Sequence, residues 1–256
     1  MKAVLLAGGL GTRLREETEF RPKPMVEIGG KPIIWHIMKN LSVQGIQEFV
    51  ICTGYKGEMI KNYFVNYELY ANDTKIELGL LNQVSSQTSL SSERWTIEIK
   101  DTGQATMTGG RLFKVRNSIQ DDYFLCTYGD GLSNINLERL ITFHKKHKKI
   151  ATVTAVHPVT RFGAMDIEPD NQVSSFREKP TSNQWVNGGF FIFNKNIFNY
   201  LDDNSVLENE PLEKLVADKE LMAYRHEDFW QPMDTYRETQ ELNGLWESNE
   251  APWRNW

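Results

Sequence analysis

A short apolar strand that runs directly into glycines is the feature that most restricts how this chain can fold. Residues 2–6 read KAVLL, and AGGLGTR follows over 7–13. A short apolar run bounded by glycines is typical of a buried strand. A helical spacing of apolar residues over 32–43 comes next, then a second apolar run over 48–53 and a second helical pattern over 56–67. Strand, helix, strand and helix in this order predict βαβ units and a mainly parallel sheet.

The rest of the chain continues this alternation and becomes richer in strands. Apolar or alternating runs predict strands over 76–80, 95–100, 123–127, 151–156, 187–193 and 221–224, and helical spacing predicts helices over 137–147 and 235–247. The pair Asp170-Asn171 between alternating segments predicts a hairpin. The polar, serine-rich stretch 82–94 predicts a mobile surface loop or an insertion outside the core. We therefore expect one α/β domain over 1–256, with a Rossmann-like, mainly parallel (mixed) sheet flanked by helices and a β-rich second half.

Composition and charge limit the kinds of molecule that this chain is expected to bind. The formal net charge is -5, and binding of a nucleic-acid backbone needs a basic surface, so we expect no nucleic-acid partner. No apolar stretch approaches the roughly 20 residues that span a bilayer. The apolar run at the start is too short for a secretory signal. We therefore expect no membrane association and a cytoplasmic location, with Cys52 and Cys126 buried and reduced.

The glycine-rich loop lies where α/β proteins bind ligands, beyond the carboxyl end of a strand. Its glycines let the backbone approach a ligand closely, and successive N–H groups can then bind an anion. Arg13 adds a planar cation that suits phosphate, and Lys23 supplies a second positive charge. The dinucleotide-binding fingerprint is excluded because Leu14 occupies the position of its last required glycine. A P-loop is excluded because its Gly-Lys pair must precede serine or threonine, and the only Gly-Lys pair in this sequence precedes proline. Two interpretations remain from the residues alone, a phosphate loop of a third kind and a structural turn.

A longer pattern favours the phosphate loop. The run AGGLGTRLREETEFRPKPMVEIGGKPIIWHIMK resembles the signature of the sugar-phosphate nucleotidylyltransferases, in which G-G-x-G-T-R-L precedes P-K-P-M/L and a later K-P-I/L. The matching residues are Gly8, Gly9, Gly11, Thr12, Arg13, Leu14, Pro22, Lys23, Pro24, Met25, Lys31 and Pro32. The resemblance implies transfer of a nucleotidyl group to a sugar 1-phosphate with release of pyrophosphate. It also implies a nucleotide-binding half at about 1–135 and a sugar-binding half at about 136–256.

The resemblance assigns the nucleotide to the first half. Arg13 would contact the leaving pyrophosphate, Lys23 would lie near the α-phosphate, and Gly129 would leave room for the ribose. Thr106 and Arg111, in DTGQATMTGGRL, match positions that close over the base and ribose. The implied nucleotide-binding residues are Leu6, Ala7, Gly8, Gly9, Leu10, Gly11, Thr12, Arg13, Lys23, Thr106, Arg111 and Gly129. The implied catalytic residues are Arg13, Lys23 and Asp130.

The metal and the sugar are assigned in the same way. Asp130 in TYGDG and Asp234 in FWQPMDTYRE match the two acids that hold Mg²⁺, the expected cofactor. The implied sugar-phosphate-binding residues are Gly163 in FGAMD, Glu178 and Lys179 in FREKP, and Asn187 in NGGFF.

The residues alone allow simpler interpretations of several of these positions. Asp130 could be a turn residue, and Asp234 could be the N-cap of the last helix, a position that aspartate favours. The glycine pair 109–110 could have no role beyond capping the start of the following helix. The Glu178-Lys179 pair could be a solvated ion pair at the end of a strand.

Within the family the chain most resembles members that join CTP to α-D-glucose 1-phosphate, giving CDP-glucose for bacterial surface polysaccharide (lipopolysaccharide O antigen). This resemblance implies those two substrates and a homo-oligomer such as a hexamer. The same chemistry with dTTP or ATP stays open, because the loop motif contacts phosphates and not the base. A non-catalytic nucleotide-binding subunit is disfavoured by the intact set of charged residues. A glycosyltransferase is disfavoured because Gly129-Asp130-Gly131 stands where an Asp-x-Asp motif would be needed.

Overall fold

The computed structural model describes residues 1–77, 83–86, 93–159, 162–177 and 181–256. The first strands are β1 (Ala3–Leu6), β2 (Glu27–Ile28), β3 (Lys31–Pro32), β4 (Glu48–Thr53), β5 (Thr74–Glu77), β6 (Gln83–Ser86), β7 (Thr96–Asp101) and β8 (Tyr123–Tyr128). The later strands are β9 (Gly131–Ser133), β10 (Ala151–Val156), β11 (Ala164–Ile167), β12 (Val173–Arg177), β13 (Val186–Asn194), β14 (Leu221–His226) and β15 (Trp230–Pro232).

Helices connect most of these strands. The α-helices are α1 (Arg15–Thr18), α2 (Ile33–Val43), α3 (Gly57–Val65), α4 (Tyr67–Ala71), α5 (Thr108–Lys114), α6 (Leu137–His147), α7 (Glu210–Ala217) and α8 (Tyr236–Glu247). Short 3₁₀ helices occupy Lys23–Met25, Arg116–Ser118 and Lys195–Tyr200. Among the residues that the structure describes, no helix is both long enough and apolar enough to cross a bilayer.

Seven strands form the central sheet in the order β14-β10-β13-β8-β1-β4-β7. Strand β13 runs antiparallel to both neighbours, and the other pairings in this sheet are parallel. The predicted mixed, mainly parallel α/β fold is therefore confirmed. Because β13 runs the opposite way, its first residues lie at the edge where β8 and β1 end, which brings Asn187 beside Tyr128.

The core lies on both faces of this sheet. All four residues of β1 are buried, as expected for a parallel strand covered on both sides. Ala3 and Leu5 pack in one apolar cluster with α2, and Val4 and Leu6 pack in a second cluster. The two cysteines, Cys52 on β4 and Cys126 on β8, are buried free thiols, as predicted.

Two small antiparallel sheets lie in the second half of the chain. The predicted hairpin is β11–β12, and Asn171 in its turn has a φ of 70°, a conformation that asparagine tolerates better than most residues. In the other sheet β15 pairs with β9. The backbone N–H of Met233 then donates to the carbonyl of Asp130 at 2.8 Å. This pairing places Asp234 next to Asp130, although 104 positions separate them.

Several predicted boundaries change in the structure. The helix predicted over 56–67 is divided at Asn66 into α3 and α4. The surface loop predicted over 82–94 is wrong at 83–86, which form β6 against β5. A strand forms there because antiparallel pairing satisfies the backbone groups of both segments whatever the polarity of their side chains. The predicted strand over 76–80 begins earlier, at Thr74, and its residues 78–80 lie outside the described residues.

The interpretation of Asp234 as the N-cap of the last helix is also wrong. Thr235 caps α8, and its hydroxyl accepts from the N–H of Glu238 while the carboxylate of Glu238 accepts from the N–H of Thr235. This capping box gives hydrogen-bond acceptors to backbone N–H groups at the start of α8 that have no partner within the helix. The side chain of Asp234 is therefore directed elsewhere.

Candidate active site

An open cavity of about 320 Å³ lies at the edge of the sheet where β1 and β8 end. Its volume falls in the range of roughly 300–1,000 Å³ that is typical of small-molecule sites. The edge beyond the carboxyl ends of parallel strands is also where α/β proteins bind ligands. The lining residues are Leu6, Ala7, Gly8, Gly9, Gly11, Thr12, Arg13, Lys23, Pro24, Thr106, Met107, Thr108, Arg111, Tyr128, Gly129 and Asp130.

The structure brings most of the predicted nucleotide-side residues together around this cavity. Of that set only Leu10 is not among the lining residues, and its side chain is 49% exposed. Gly163 and Asn187 do not line the cavity. Glu178 and Lys179 lie outside the described residues.

A cluster of two cations and two acids lies at one wall. Arg13, Lys23 and Asp130 line the cavity, whereas Asp234 does not line it and joins them through ion pairs. The Nζ of Lys23 contacts Asp130 Oδ2 at 2.6 Å and Asp234 Oδ1 at 2.5 Å. The Nη1 of Arg13 contacts the other oxygen of Asp234, Oδ2, at 2.6 Å. Lys23 is buried, with 7% of its surface exposed, whereas the Arg13 side chain is 66% exposed. The four charged groups thus form one connected set, which the sequence predicted only through the family resemblance.

Electrostatics keep Lys23 protonated in this cluster. Burial by itself lowers the pKa of Lys23, but the carboxylates of Asp130 and Asp234 outweigh it, so that the pKa is raised above its usual value. A raised pKa means that the ammonium contributes stability throughout the neutral range, and that this stability is lost only as the pH rises through the folded-state pKa.

The two carboxylates form a donor set that fits a divalent cation. Asp130 and Asp234 contact the same ammonium, so their oxygens are close enough to share one positive ion. Mg²⁺ commonly takes one or two protein carboxylates and completes its shell with water and substrate phosphate. In the part of the chain that the structure describes, no group of three acidic, histidine or cysteine side chains could hold a metal. A metal at this wall would therefore depend on these two acids and on a ligand.

Another part of the cavity lining contains a second buried cation with entirely different partners. The Nη1 of Arg111 donates to the carbonyls of Thr53 at 2.9 Å and Gly103 at 2.8 Å and to Thr102 Oγ1 at 2.7 Å. Its Nη2 donates to the carbonyl of Gly8 at 2.8 Å. Burial lowers the pKa of Arg111, but neutral acceptors surround the guanidinium. Arg111 therefore ties the glycine-rich loop to the ends of β4 and β7.

This tie explains why position 8 is glycine. A Cβ on Gly8 would lie 2.1 Å from Nη1 of Arg111, closer than any real contact, whereas a Cβ on Gly9 would meet nothing within 4 Å. Gly129 is less restricted, since a Cβ there would lie 3.1 Å from Pro24 and 3.3 Å from Ala7, tight contacts to which those side chains would have to yield slightly. At these two positions the close approach is to the protein itself.

The glycine pair in α5 has a packing role beyond beginning a helix. The N–H of Gly110 donates to the carbonyl of Ser205 at 2.9 Å. A Cβ on Gly109 would lie 2.8 Å from Ser205, and one on Gly110 would lie 2.3 Å from the carbonyl oxygen of Asp203. Backbone from the second half of the chain therefore crosses directly over the start of α5.

Sequence reasoning assigned no binding role to several residues at this site. Pro24, Met107, Thr108 and Tyr128 line the cavity. The Tyr128 hydroxyl donates to Glu208 and accepts from Asn187 Nδ2 at 3.3 Å. The position of Tyr128 at a strand end, just before Gly129, was a usable signal. Glu208 carried no such signal, because it follows no motif.

Comparison with known proteins places the chain in a family. A family model described as nucleotidyl transferase matches residues 2–247. Over 259 residues, covering all of both chains, the sequence is 51% identical to the glucose-1-phosphate cytidylyltransferase of Salmonella typhi. It is 43% identical over 263 residues, again covering all of both chains, to a probable glucose-1-phosphate cytidylyltransferase of Bacillus subtilis.

Solved structures agree with the fold. The crystal structure of HddC from Yersinia pseudotuberculosis complexed with GMP-PN superposes with a TM-score of 0.70 at 21% identity, covering 96% of this chain and 99% of that one. At this level of identity the likeness concerns the fold alone.

Proposed function

The chain belongs to the nucleotidyl transferase family, and we propose that it transfers the cytidylyl group of CTP to α-D-glucose 1-phosphate, giving CDP-glucose and pyrophosphate. The identity of 51% over the full length of a cytidylyltransferase supports this pair of substrates. The observation in the molecule that carries the proposal is the convergence of Arg13, Lys23, Asp130 and Asp234 beside the glycine-rich loop.

The reaction is an in-line displacement at phosphorus. An oxygen of the sugar phosphate attacks the α-phosphorus of CTP, and pyrophosphate leaves. Both reactants are anions, so the protein must hold them together against their repulsion and stabilise the charge that develops. No protein nucleophile is needed. In this proposal Lys23 contacts the α-phosphate, Arg13 contacts the leaving pyrophosphate, and the N–H groups of residues 8–13 hold the triphosphate.

The ion pairs of Lys23 and Arg13 support these roles because phosphate oxygens could take the place of the aspartate oxygens. Lys23 and Arg13 are paired with aspartates, and phosphate oxygens are equally good partners for an ammonium or a guanidinium. We propose Mg²⁺ as the cofactor, held by Asp130 and Asp234. When bound, it would offset the charge of the triphosphate and polarise the α-phosphate. With that ion present, the two carboxylates would still have a cation partner while Lys23 contacts the α-phosphate.

The sugar side of the proposal rests on the family resemblance. Gly163, Glu178, Lys179 and Asn187 would contact glucose 1-phosphate, with Lys179 on the phosphate and Glu178 and Asn187 on hydroxyl groups. Asn187 lies next to Tyr128 of the cavity wall, which supports its assignment. We take about 1–135 as the nucleotide-binding half and about 136–256 as the sugar-binding half of one domain.

The nucleotide base would lie near Thr106 and Arg111, with the ribose beside Gly129. Thr106 Oγ1 donates to the carbonyl of Thr102 at 2.6 Å and accepts from Lys114 at 3.0 Å. We expect Arg111 to act mainly by fixing the shape of this wall, because its Nη atoms already bind protein oxygens. The base would then be selected by the fixed backbone around residues 6–8 and 103–106.

The cellular setting follows from the same proposal. CDP-glucose is a nucleotide sugar, and we propose that it is made in the cytoplasm for surface polysaccharide such as the O antigen. We also propose that the chain works as a homo-oligomer, such as a hexamer, as the resemblance implies.

A grid of substrates tests the function. CTP, dTTP, ATP and GTP are each paired with glucose 1-phosphate and mannose 1-phosphate, and pyrophosphate release is measured with and without Mg²⁺. We expect CTP with glucose 1-phosphate to give the highest kcat/KM, with a product of the mass of CDP-glucose and no turnover without the metal. A higher kcat/KM with another pair would replace the proposed substrates, and no pyrophosphate from any pair would refute the reaction class.

A further inference from the structure

A carboxylate from the second half of the chain joins two hydroxyl groups of the cavity wall. Glu208 Oε1 accepts from the hydroxyl of Tyr128, and its Oε2 accepts from Thr108 Oγ1 at 2.6 Å. Tyr128 and Thr108 both line the cavity. Glu208 therefore connects the start of α5 with the end of β8.

The segment that carries Glu208 is itself fixed. The N–H of Leu207 donates to Thr108 Oγ1 at 3.0 Å, and Leu207 is fully buried. Two residues earlier, Ser205 accepts from the N–H of Gly110 at 2.9 Å. These bonds hold residues 205–207 against the start of α5, so the carboxylate of Glu208 has a defined position from which to act on its neighbours.

The bond to Glu208 determines the direction of the Tyr128 hydroxyl. A phenol has one hydrogen to donate, and here that hydrogen goes to Glu208. The oxygen of Tyr128 is then an acceptor toward Asn187 Nδ2, at 3.3 Å. Burial, and after it the charge of Glu208, raises the pKa of Tyr128 far above its usual range, so the phenol keeps its hydrogen at neutral pH.

The orientation of the Asn187 amide follows from these bonds. Its Nδ2 faces the Tyr128 oxygen, and its Oδ1 accepts from the N–H of Gly189 at 2.8 Å. The ring of Tyr128 packs directly against the backbone of Gly189, where a Cβ would lie only 2.4 Å from Cδ2 of that ring. The amide of Asn187 is thus set in one of its two flipped states before any ligand arrives.

We propose that Glu208 is a positioning residue for the sugar substrate, acting through the Tyr128 hydroxyl on the amide of Asn187. This inference rests on the proposed function, in which Asn187 contacts a sugar hydroxyl. Loss of the carboxylate frees the Tyr128 hydrogen to donate toward Asn187, which removes one of the two bonds that fix the amide orientation and leaves only the bond from the Gly189 N–H. The effect falls on recognition of the sugar, whereas the cluster of Lys23 with its two aspartates is untouched.

The test compares Glu208→Gln with Glu210→Gln. Glu210 is an exposed neighbour that pairs with Lys214 on α7, so it is a matched control. For Glu208→Gln we expect the KM for glucose 1-phosphate to rise about tenfold, the order for one hydrogen bond to a charged group. The KM for CTP and the midpoint of thermal unfolding should change little. Glu210→Gln should match the wild type in all three.

A double-mutant cycle with Tyr128→Phe gives the second readout. If Glu208 acts through Tyr128, the double variant should be no worse in the KM for glucose 1-phosphate than the Tyr128→Phe variant alone. Effects that multiply, or an equal rise in the KM for CTP, would overturn the positioning role.

Direct binding of glucose 1-phosphate, measured by saturation-transfer NMR, separates this inference from the function on which it rests. A wild-type chain that binds the sugar phosphate, with a Glu208→Gln variant that binds it equally well, overturns the positioning role alone. A wild-type chain that neither binds the sugar phosphate nor turns it over overturns both.

Discussion

The two walls of the cavity each contain a buried cation, but they hold it in opposite ways. The loop wall comprises residues 8–13 with Lys23 and Asp130, together with Asp234, which pairs with Arg13 and Lys23 but does not itself line the cavity. The helix wall comprises residues 106–111. Lys23 is bound by two carboxylates. Arg111 is bound by backbone carbonyls and one threonine hydroxyl. One cation has charged side-chain partners, and the other has neutral partners that belong mostly to the backbone.

This contrast shows how to distinguish a substrate-binding cation from a structural one in a charged cavity. Charge alone does not identify a substrate-binding residue, since Arg111 lines the cavity and yet completes the protein's own hydrogen bonds. A cation paired with acids beside an open cavity has partners that a metal could bind equally well. We therefore expect substitutions at the loop wall to lower turnover, and substitutions of Arg111 to lower stability first.

The largest expected effect is on turnover at the loop wall. Arg13→Ala, Lys23→Ala and Asp130→Asn should each lower kcat by roughly 10²–10³, the order for one stabilising group at a transition state. Pyrophosphate release measures this, and circular dichroism checks that each variant is folded. Arg15→Ala, an exposed neighbour on α1, is the control and should retain full turnover. Near-normal turnover in a folded Arg13→Ala variant would contradict the role of this wall.

The next effect is on stability at the helix wall. Arg111→Lys should lower the free energy of unfolding by roughly 2–4 kcal/mol, because an ammonium cannot reach the carbonyls that the planar fork satisfies and buried acceptors are left unpaired. Urea unfolding measures the loss. The matched control is Arg116→Lys, an exposed position, where the change should stay within about 0.5 kcal/mol. Equal decreases in the free energy of unfolding at both positions would contradict a structural role for Arg111.

Acid titration tests buried histidines in the core that belong to neither wall of the cavity, and whether their effect on stability is independent of the two walls. Burial lowers the pKa of His36 to about 4, so the unfolded chain binds more protons than the folded chain between pH 6.5 and 4. Stability should therefore fall as the pH drops through this window, by on the order of 2–3 kcal/mol from His36. His144, whose pKa burial also lowers to about 4, adds in the same direction.

Urea unfolding at a series of pH values measures this slope. It should be the same in the Arg111→Lys variant, displaced to lower stability at every pH. A slope that disappears in that variant would couple the histidines to the helix wall.

The smallest effect concerns the metal. Lys23 occupies the position between Asp130 and Asp234, so the ammonium competes with a divalent cation for both acids. In the absence of nucleotide, Lys23→Gln should therefore bind Mn²⁺, a substitute for Mg²⁺, about tenfold more tightly than the wild type. Electron paramagnetic resonance of free Mn²⁺ measures the difference. The gain should be lost when Asp130→Asn is added, and an unchanged affinity in Lys23→Gln would show that the lysine does not compete.

The sequence predicted the helices and strands that have clear periodicity. The bounds of α6 and β10 agree with those expected, because an amphipathic helix and a short buried strand are local patterns. It failed at 83–86, where strand formation depends on a partner segment, and at Asn66, where one helical pattern became two helices. The cavity was predicted at the correct strand end because the glycine-rich loop is contiguous. Glu208 could not be predicted, since it reaches the cavity through a crossing of backbone over α5.

Residue types and short spacings were enough to predict the glycine-rich loop, the cations close to it and the alternation of elements that places this loop at a sheet edge. These are local properties, since they depend on residue types at short spacing and on strand and helix periods. The tertiary fold brings Asp234 to Asp130 through the pairing of β15 with β9. It also decided that Arg111 faces protein oxygens whereas Lys23 faces acids. Side-chain partners across a hundred residues depend on packing and strand register, which no short stretch of sequence contains.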